Sequence, residues 1–211
     1  MGMAVVSANT VEPKRLEIPP ADLVSVRQQA TIAHHIQQVT RDAEGLVLGR
    51  DKTVLLVRLE RGSWCVAECL DHLTHTTRAF LPVISKAIAE APKLKTNRRL
   101  RTGLLPSLFI WNLNPPYRIR FKVLPQLAPQ NPNLDTAWAS FLESQSELLA
   151  VLSSTAGLAI DKVRIKSPVY AGISYNIYGA FRMLAAHQSR HVWQIRQILK
   201  ALDNRLALGT A

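Results

Sequence analysis

The sequence has few acidic residues, few cysteines and few aromatic residues. Its 211 residues include 15 Asp or Glu against 26 Lys or Arg, which gives a formal net charge of +11. The two cysteines, Cys65 and Cys69, stand four positions apart in one predicted helix. That spacing suits stacking on one helix face rather than the specific geometry of a disulfide, so we expect reduced thiols.

Long apolar runs are also missing. No stretch approaches the ~20 apolar residues that a membrane-spanning helix needs, so we expect no membrane partner. The first residues do not combine a basic start with an apolar stretch, as a secretory signal would, and we expect a cytoplasmic protein. We predict an N-terminal arm over residues 1–19 and a single domain over residues 20–211, a length sufficient to bury a core.

Acidic residues are absent from a long internal stretch. Between residues 91 and 133 the sequence has eight basic residues and no Asp or Glu, so this segment supplies eight of the eleven net positive charges. Aromatic residues interleave with the charges, as they do on surfaces that stack nucleic-acid bases. In the alternative, which we favour, the aromatic residues pack the segment onto the rest of the protein, and nucleic acid is not a partner. The residues concerned are Lys93, Lys95, Arg98, Arg99, Arg101, Arg118, Arg120 and Lys122, with Phe109, Trp111, Tyr117 and Phe121.

Four stretches carry apolar residues at steps of three and four, which predicts amphipathic helices. They cover residues 21–45, 65–91, 134–152 and 174–206. Pro82 lies inside the second stretch and predicts a kink or an early break there. Four long amphipathic helices indicate an all-α protein with a four-helix bundle. The basic segment then becomes a long ordered connection between helices 2 and 3.

The last predicted helix contains "AAHQSRHVWQIRQIL", in which His187 and His191 stand four positions apart on or beside the apolar stripe. Side chains at this spacing lie about 6 Å apart on one helix face, so both imidazoles can reach one cation. The alternative is an ordinary pair of histidines that share a face, since His34 and His35 show that histidines also cluster elsewhere.

A third ligand could come from the second helix, where both His72 and His75 are candidates and the residues alone favour His72 only slightly. One histidine from one helix and two from another would leave a coordination position open for water or substrate. Cys65, Cys69 and His72 also share a face, which makes a zinc site of two cysteines and one histidine a further alternative. We prefer simply buried thiols, because Cys is among the most often buried residue types.

Two segments resemble a known family. "WCVAECLDHLTHTTRAFLP" is similar to the second helix of DinB-like proteins, and "AAHQSRHVWQIRQIL" is similar to their last helix. The resemblance extends over about residues 21–205 and implies a four-helix bundle, often dimeric, with a metal held by three histidines. Carried over by position, these are His72, His187 and His191, while His75 has no matching role. Cys65 departs from the family, which often has a Ser there that would cap the helix.

The resemblance also implies a range of functions. Related proteins include metal-dependent hydrolases and enzymes that transfer low-molecular-weight thiols to electrophilic substrates. We therefore expect a divalent metal ion (Zn, Ni or Fe), a small-molecule substrate that could include such a thiol, and a homodimer. A bundle that binds metal without turnover is the alternative. Glu68, Asp71 and Gln188 are candidates for orienting the ligands or handling protons, or else are plain helix residues.

Overall fold

A computed structural model describes residues 23–115, 117, 123–130 and 133–209. This part of the chain is mostly helical, in agreement with the all-α prediction. The predicted arm over residues 1–19 lies outside the described residues.

Two single-turn 3₁₀ helices, Val54–Leu56 and Pro125–Leu127, lie in the connections. The longer elements are α1 (Val24–Val47), α2 (Val66–Ile88), α3 (Leu104–Leu113), α4 (Leu134–Ser153), the strands β1 (Arg164–Lys166) and β2 (Ser174–Asn176), and α5 (Ile177–Ala207).

The four predicted helices are present as α1, α2, α4 and α5, with ends within a few residues of the predicted ones. Of the two outcomes predicted at Pro82, a kink or an early break, the early break was wrong, because α2 continues through Pro82 to Ile88. Proline removes one backbone hydrogen bond from a helix. Here the side chains of Leu81 and Ile84, on either side of it, are buried in the core, and such packing supplies most of the stability of a helix in a folded protein.

The connections contain more regular structure than the sequence predicted. The segment 91–133 includes a ten-residue helix, α3. Strands β1 and β2 form an antiparallel pair, with Ile165 opposite Tyr175, immediately before α5 begins. Both of these side chains are buried and join the core. The pair therefore fixes the path by which the chain enters α5.

The long helices pack in pairs that bring two predicted histidine-bearing segments together. Helix α2 contacts α4 and α5, α1 also contacts α4 and α5, and α3 lies against α5. The buried apolar residues form two clusters along the helices. On α5 the first cluster ends at Ala186 and the second begins at Val192, so the polar stretch 187–191 lies between them.

The amino ends of α2 and α5 are held by local hydrogen bonds. The Glu68 carboxylate accepts a hydrogen bond from the backbone N–H of Cys65 (2.9 Å), which is the position that a capping-box acid occupies. At the start of α5, the side-chain oxygen of Asn176 accepts from the backbone N–H of Gly179 (2.7 Å). These caps set where the two helices begin, and so fix the positions of the histidines further along them. Within the described residues, no helix is long and apolar enough to cross a membrane.

Candidate metal centre

The three histidines predicted as ligands lie together in the structure. His72 comes from the second turn of α2, and His187 and His191 come from one face of α5. One ring nitrogen from each lies within 4.8 Å of the others. The ring centroids are 5.2 Å apart for His72 and His187, 4.7 Å for His72 and His191, and 4.6 Å for His187 and His191. The packing of α2 on α5 thus joins residues more than a hundred positions apart in the sequence.

The spacing and orientation of the rings fit a divalent cation. The Nε2 atoms of His72 and His187 are 3.3 Å apart. Two nitrogens at the usual distance from a tetrahedral zinc ion are separated by about 3.3–3.4 Å. The Nδ1 of His72 is 2.7 Å from the backbone carbonyl of Leu127. Because a carbonyl only accepts, this Nδ1 carries the proton and the Nε2 lone pair faces the other two rings.

All three imidazoles are held in the neutral form that binds metals. Burial lowers the pKa of His72 despite the opposing hydrogen bond to Leu127. Burial, helped by the neighbouring His72 and Arg190, lowers the pKa of His187 to about 3. Burial, followed by the proximity of His187 and His72, lowers the pKa of His191 well below its ordinary value. Protons therefore do not compete for the ring nitrogens at neutral pH.

Two further ring nitrogens of the cluster are buried. The Nδ1 atoms of His187 and His191 find no hydrogen-bond partner within the described part of the chain. Buried polar atoms without partners are costly, and clustering three such rings adds to that cost. A cation held by the Nε2 of His187, which lies 3.3 Å from that of His72, would leave the Nδ1 of His187 as it is, so the fit to a metal ion rests on the convergence of the three neutral imidazoles.

An aromatic side chain supports the cluster from one side. The ring of Trp64 lies 4.9 Å from that of His72 and is stacked 6.0 Å from that of His191. Sequence reasoning assigned Trp64 no role, although it stands inside the motif that carried the family resemblance. The Leu127 carbonyl was also missed, because any residue supplies a backbone carbonyl and the sequence therefore carries no signal for it.

The histidine cluster opens into a cavity of about 640 Å³. Side chains from α2, α3 and α5 and the loop before β2 form its walls. His187 is only partly buried, so the cluster can be reached from this space. A cavity of this size, with apolar walls and a few polar groups, is typical of a small-molecule site. Its apolar walls include Phe80, Phe109, Leu113, Val169 and Met183, and its polar lining includes Thr76, Tyr170 and Arg190.

The described aromatic residues of the basic segment mostly pack against the helices. Phe109 is partly buried against the core and lines the cavity. The ring of Tyr117 lies 4.5 Å from that of Trp193, and the guanidinium of Arg190 lies 5.5 Å from the Tyr117 ring. Phe109 and Tyr117 therefore agree with the alternative in which the aromatic residues pack the basic segment onto the rest of the protein. Trp111 is 51% exposed, and Phe121, Arg118, Arg120 and Lys122 lie outside the described residues.

The polar residues proposed to assist the histidines have other partners. Glu68 caps α2 and forms an ion pair with Arg58. The Asp71 carboxylate accepts from the backbone N–H of Gln130 (2.8 Å). The side-chain nitrogen of Gln188 is 3.4 Å from the Thr77 hydroxyl. The structure therefore gives these three side chains roles in holding helices and connections rather than hydrogen bonds to the histidines.

The alternative ligands are not part of the cluster. Among the described residues, the only three-residue group of potential ligands is His72, His187 and His191. Cys65 and Cys69 are buried free thiols, and burial raises the pKa of both, which disfavours the thiolate that a metal needs. His75 lies beside the Asp71 carboxylate instead, at 3.6 Å. His34 and His35 are exposed.

Comparison with known proteins gives one match. A family model described as the DinB superfamily matches residues 35–195, which include all three histidines and three quarters of the chain. No curated protein and no solved structure matches the chain.

Proposed function

The chain belongs to the DinB superfamily, and from that premise we propose that it is a metal-dependent enzyme acting on small molecules. His72, His187 and His191 are its metal ligands, and the ion is divalent zinc, nickel or iron. One observation carries the proposal: three neutral imidazoles from two helices converge at the wall of a cavity large enough for a small molecule. The reaction is either hydrolysis or the transfer of a low-molecular-weight thiol to an electrophile.

A divalent cation, when bound, lowers the pKa of a coordinated water or thiol towards neutrality and so supplies a nucleophile for either reaction. The protein's own groups prepare the site for this chemistry. The Leu127 carbonyl fixes the tautomer of His72, and the Trp64 ring holds His72 and His191 in place. The cavity walls are largely apolar, which strengthens electrostatic interactions next to them.

Arg190 supplies a positive charge to the cavity, whereas the three histidines are neutral and supply none. Its side chain is partly buried at the wall, and one guanidinium N–H donates to the backbone carbonyl of Asn112 (3.3 Å). A cation at this place favours a substrate with an electron-rich or anionic group next to its reacting centre. We assign Arg190 to substrate positioning on this ground.

The first experiment tests metal binding. Wild-type protein, purified without chelator, is analysed for metal content, and its zinc affinity is measured by competition with a chromogenic chelator. We expect about one ion per chain, and loss of that ion in His191→Ala because two imidazoles alone bind zinc weakly. His75→Ala is the matched control, since it removes a histidine one turn from His72 that lies outside the cluster. Unchanged metal content in His191→Ala contradicts the ligand assignment.

The second experiment distinguishes catalysis from metal storage. Metal-loaded protein is screened with low-molecular-weight thiols plus electrophiles, and separately with simple amides and esters. Turnover in one screen that disappears in His187→Ala supports an enzyme and identifies its reaction class. Stoichiometric metal binding without turnover in either screen supports the alternative of a non-catalytic metal-binding bundle.

We also propose a homodimer. The outward face of α3 carries a stripe of exposed apolar side chains, Leu104, Leu108 and Trp111, which are 92%, 58% and 51% exposed. Their spacing of four and three places them on one side of the helix, where a second copy could cover them. Light scattering coupled to gel filtration should give the mass of two chains, and Leu108→Glu should shift it to one chain. A monomeric wild-type protein excludes the proposal.

A further inference from the structure

A second cavity of about 590 Å³ lies on a different face of α5 from the histidines. We call it the basic cleft. It is bounded by α1, α3, α5 and the chain segment leading into α3, and its lining includes Arg99, Arg101, Thr102, Tyr178 and Arg182. No acidic side chain lines the described part of it. We propose that the basic cleft binds the oxyanion group, phosphate or carboxylate, of a small molecule.

The segment that carries two of the arginines is fixed to the helices by hydrogen bonds. The side chain of Gln28 both accepts from the backbone N–H of Leu100 (2.8 Å) and donates to its carbonyl (3.3 Å). On the other side, the amide of Asn176 donates to the backbone carbonyl of Arg101 (2.7 Å). The backbone around Arg99 and Arg101 is therefore held in place, and less conformational freedom is lost when a ligand binds.

The acid nearest to this segment is already occupied. Asp161 accepts two hydrogen bonds from the guanidinium of Arg98 (2.7 and 2.8 Å) and a third from the backbone N–H of Arg101 (3.2 Å). Within the described part of the chain, the guanidinium groups of Arg99 and Arg101 have no carboxylate within ion-pair distance. Their charges therefore remain available to a ligand in the cleft.

Arg182 brings a third positive charge from α5. One of its guanidinium nitrogens donates to the hydroxyl of Thr102 (2.5 Å), and the group lies 5.9 Å from the centre of the Tyr178 ring. These contacts fix its position while providing no negative charge. A partly buried guanidinium without a carboxylate is favoured by an anionic partner, and its planar fork matches phosphate and carboxylate oxygens.

The shape of the cleft favours a small molecule over a nucleic acid. Its volume lies in the range of small-molecule pockets. Arg99, Arg101 and Arg182 line one concave space rather than a track along which successive phosphates of a polymer could lie. This site is separate from the histidine cluster, because α5 stands between the cavities and contributes different residues to each. The inference therefore does not depend on the metal.

The test uses calorimetric titration of the full-length protein with inorganic phosphate, pyrophosphate and citrate at low ionic strength. We expect at least one of these anions to bind, and Arg101→Gln to weaken its binding about tenfold, since an exposed arginine is removed without disturbing the core. Arg182→Gln should weaken it at least as much. Arg41→Gln removes a comparable exposed charge from α1 outside the cleft and should leave binding unchanged, as should His191→Ala.

Four results would overturn the inference. The first is the absence of binding by all three anions at millimolar concentration. The second is equal weakening in Arg101→Gln and Arg41→Gln, which would indicate non-specific attraction to a basic protein. The third is loss of binding in His191→Ala, which would place the anion at the histidines. The fourth is binding of a single-stranded oligonucleotide, steeply dependent on salt, without binding of phosphate. If Arg182→Gln does not fold, as judged by circular dichroism, Arg101→Gln alone decides.

Discussion

At the scale of single residues, His72 shows how an ordinary helix residue becomes a ligand. Its Nδ1 is held by the Leu127 carbonyl and its ring contacts Trp64, so both the tautomer and the orientation of the ring are fixed before a metal ion binds. A histidine side chain that is already oriented loses little conformational entropy when the ion binds. Leu127 and Trp64 are therefore expected to influence metal affinity although neither is a ligand.

The depressed histidine pKa values predict how the metal-free protein responds to pH. Unfolded histidines titrate near pH 6.5, whereas the folded pKa of His187 is about 3. Below pH 6.5 the unfolded state binds more protons than the folded state, so the free energy of unfolding falls as the pH falls, and it is unaffected by this group above that pH. As the pH falls below 6.5, the decrease in the free energy of unfolding that is due to His187 approaches about 1.4 kcal/mol per pH unit. Urea unfolding in the presence of EDTA, between about pH 5 and pH 8, measures it.

Two variants make this pH prediction specific. His187→Leu removes the titrating group and should reduce the slope below pH 6.5 by about 1.4 kcal/mol per pH unit. His34→Ala, which removes an exposed histidine outside the cluster, is the matched control. Identical slopes in His187→Leu and the wild-type protein would show that His187 titrates normally in the folded state.

At the scale of elements, two helical glycines predict opposite effects of the same substitution. A Cβ at Gly179 would lie 2.9 Å from the Asn176 side-chain oxygen that caps α5 and 3.3 Å from the Thr102 carbonyl. Gly179→Ala should therefore destabilise the protein by about 1–3 kcal/mol. A Cβ at Gly45, in α1, meets nothing within 4 Å, so Gly45→Ala should stabilise by about 0.5–1 kcal/mol through helix propensity. Chemical denaturation gives both values, and equal effects would contradict the close approach at Gly179.

The amino end of α2 predicts the effect of losing one carboxylate. Glu68 is 5% exposed, accepts from the backbone N–H of Cys65 and pairs with Arg58. Glu68→Ala leaves that buried N–H without a partner and should cost about 1–3 kcal/mol of unfolding free energy. Glu147→Ala, on the exposed face of α4, should change it by less than about 0.5 kcal/mol. Similar losses in the two variants would mean that the cap contributes little.

The sequence predicts the helices in which apolar residues recur at regular spacing, and it misses the elements that lack such a pattern. Helices α1, α2, α4 and α5 each carry an apolar stripe, which is why their positions could be predicted. Helix α3 has apolar residues on its exposed side as well, such as Leu104 and Leu108, so it shows no amphipathic period. Strands β1 and β2 have three residues each, too few for an alternating pattern.

The histidine cluster was predictable in part for a similar reason. His187 and His191 share a face by local spacing, but the choice of His72 over His75 needed the family resemblance. Asp71 lies one position from His72 in the sequence, yet its carboxylate bonds to the connection before α4. Which partner a polar side chain finds depends on distant segments, and the sequence pattern carries no information about them.

At the scale of the whole molecule, α5 separates two cavities and contributes residues to both. The histidine cluster joins α5 to α2, whereas the basic cleft joins α5 to α1 and α3. Each cavity thus lies where distant parts of the sequence meet. A ligand in either one contacts several elements at once, so binding should stabilise the fold as a whole.

Metal binding at the cluster therefore predicts a rise in the melting temperature. A ligand that binds only the folded state stabilises it by about 2.7 kcal/mol at a hundredfold excess over its dissociation constant. For a chain of this size that corresponds to roughly 5–11 °C. Differential scanning fluorimetry of EDTA-treated protein should show this rise with zinc and its reversal by chelator. Magnesium, which prefers oxygen ligands, should give no rise.

Two variants locate the zinc that causes the rise. The double variant His187→Ala/His191→Ala should lose the rise in melting temperature with zinc, whereas His75→Ala should retain it. A rise in the double variant equal to that of the wild-type protein would place zinc elsewhere in the protein.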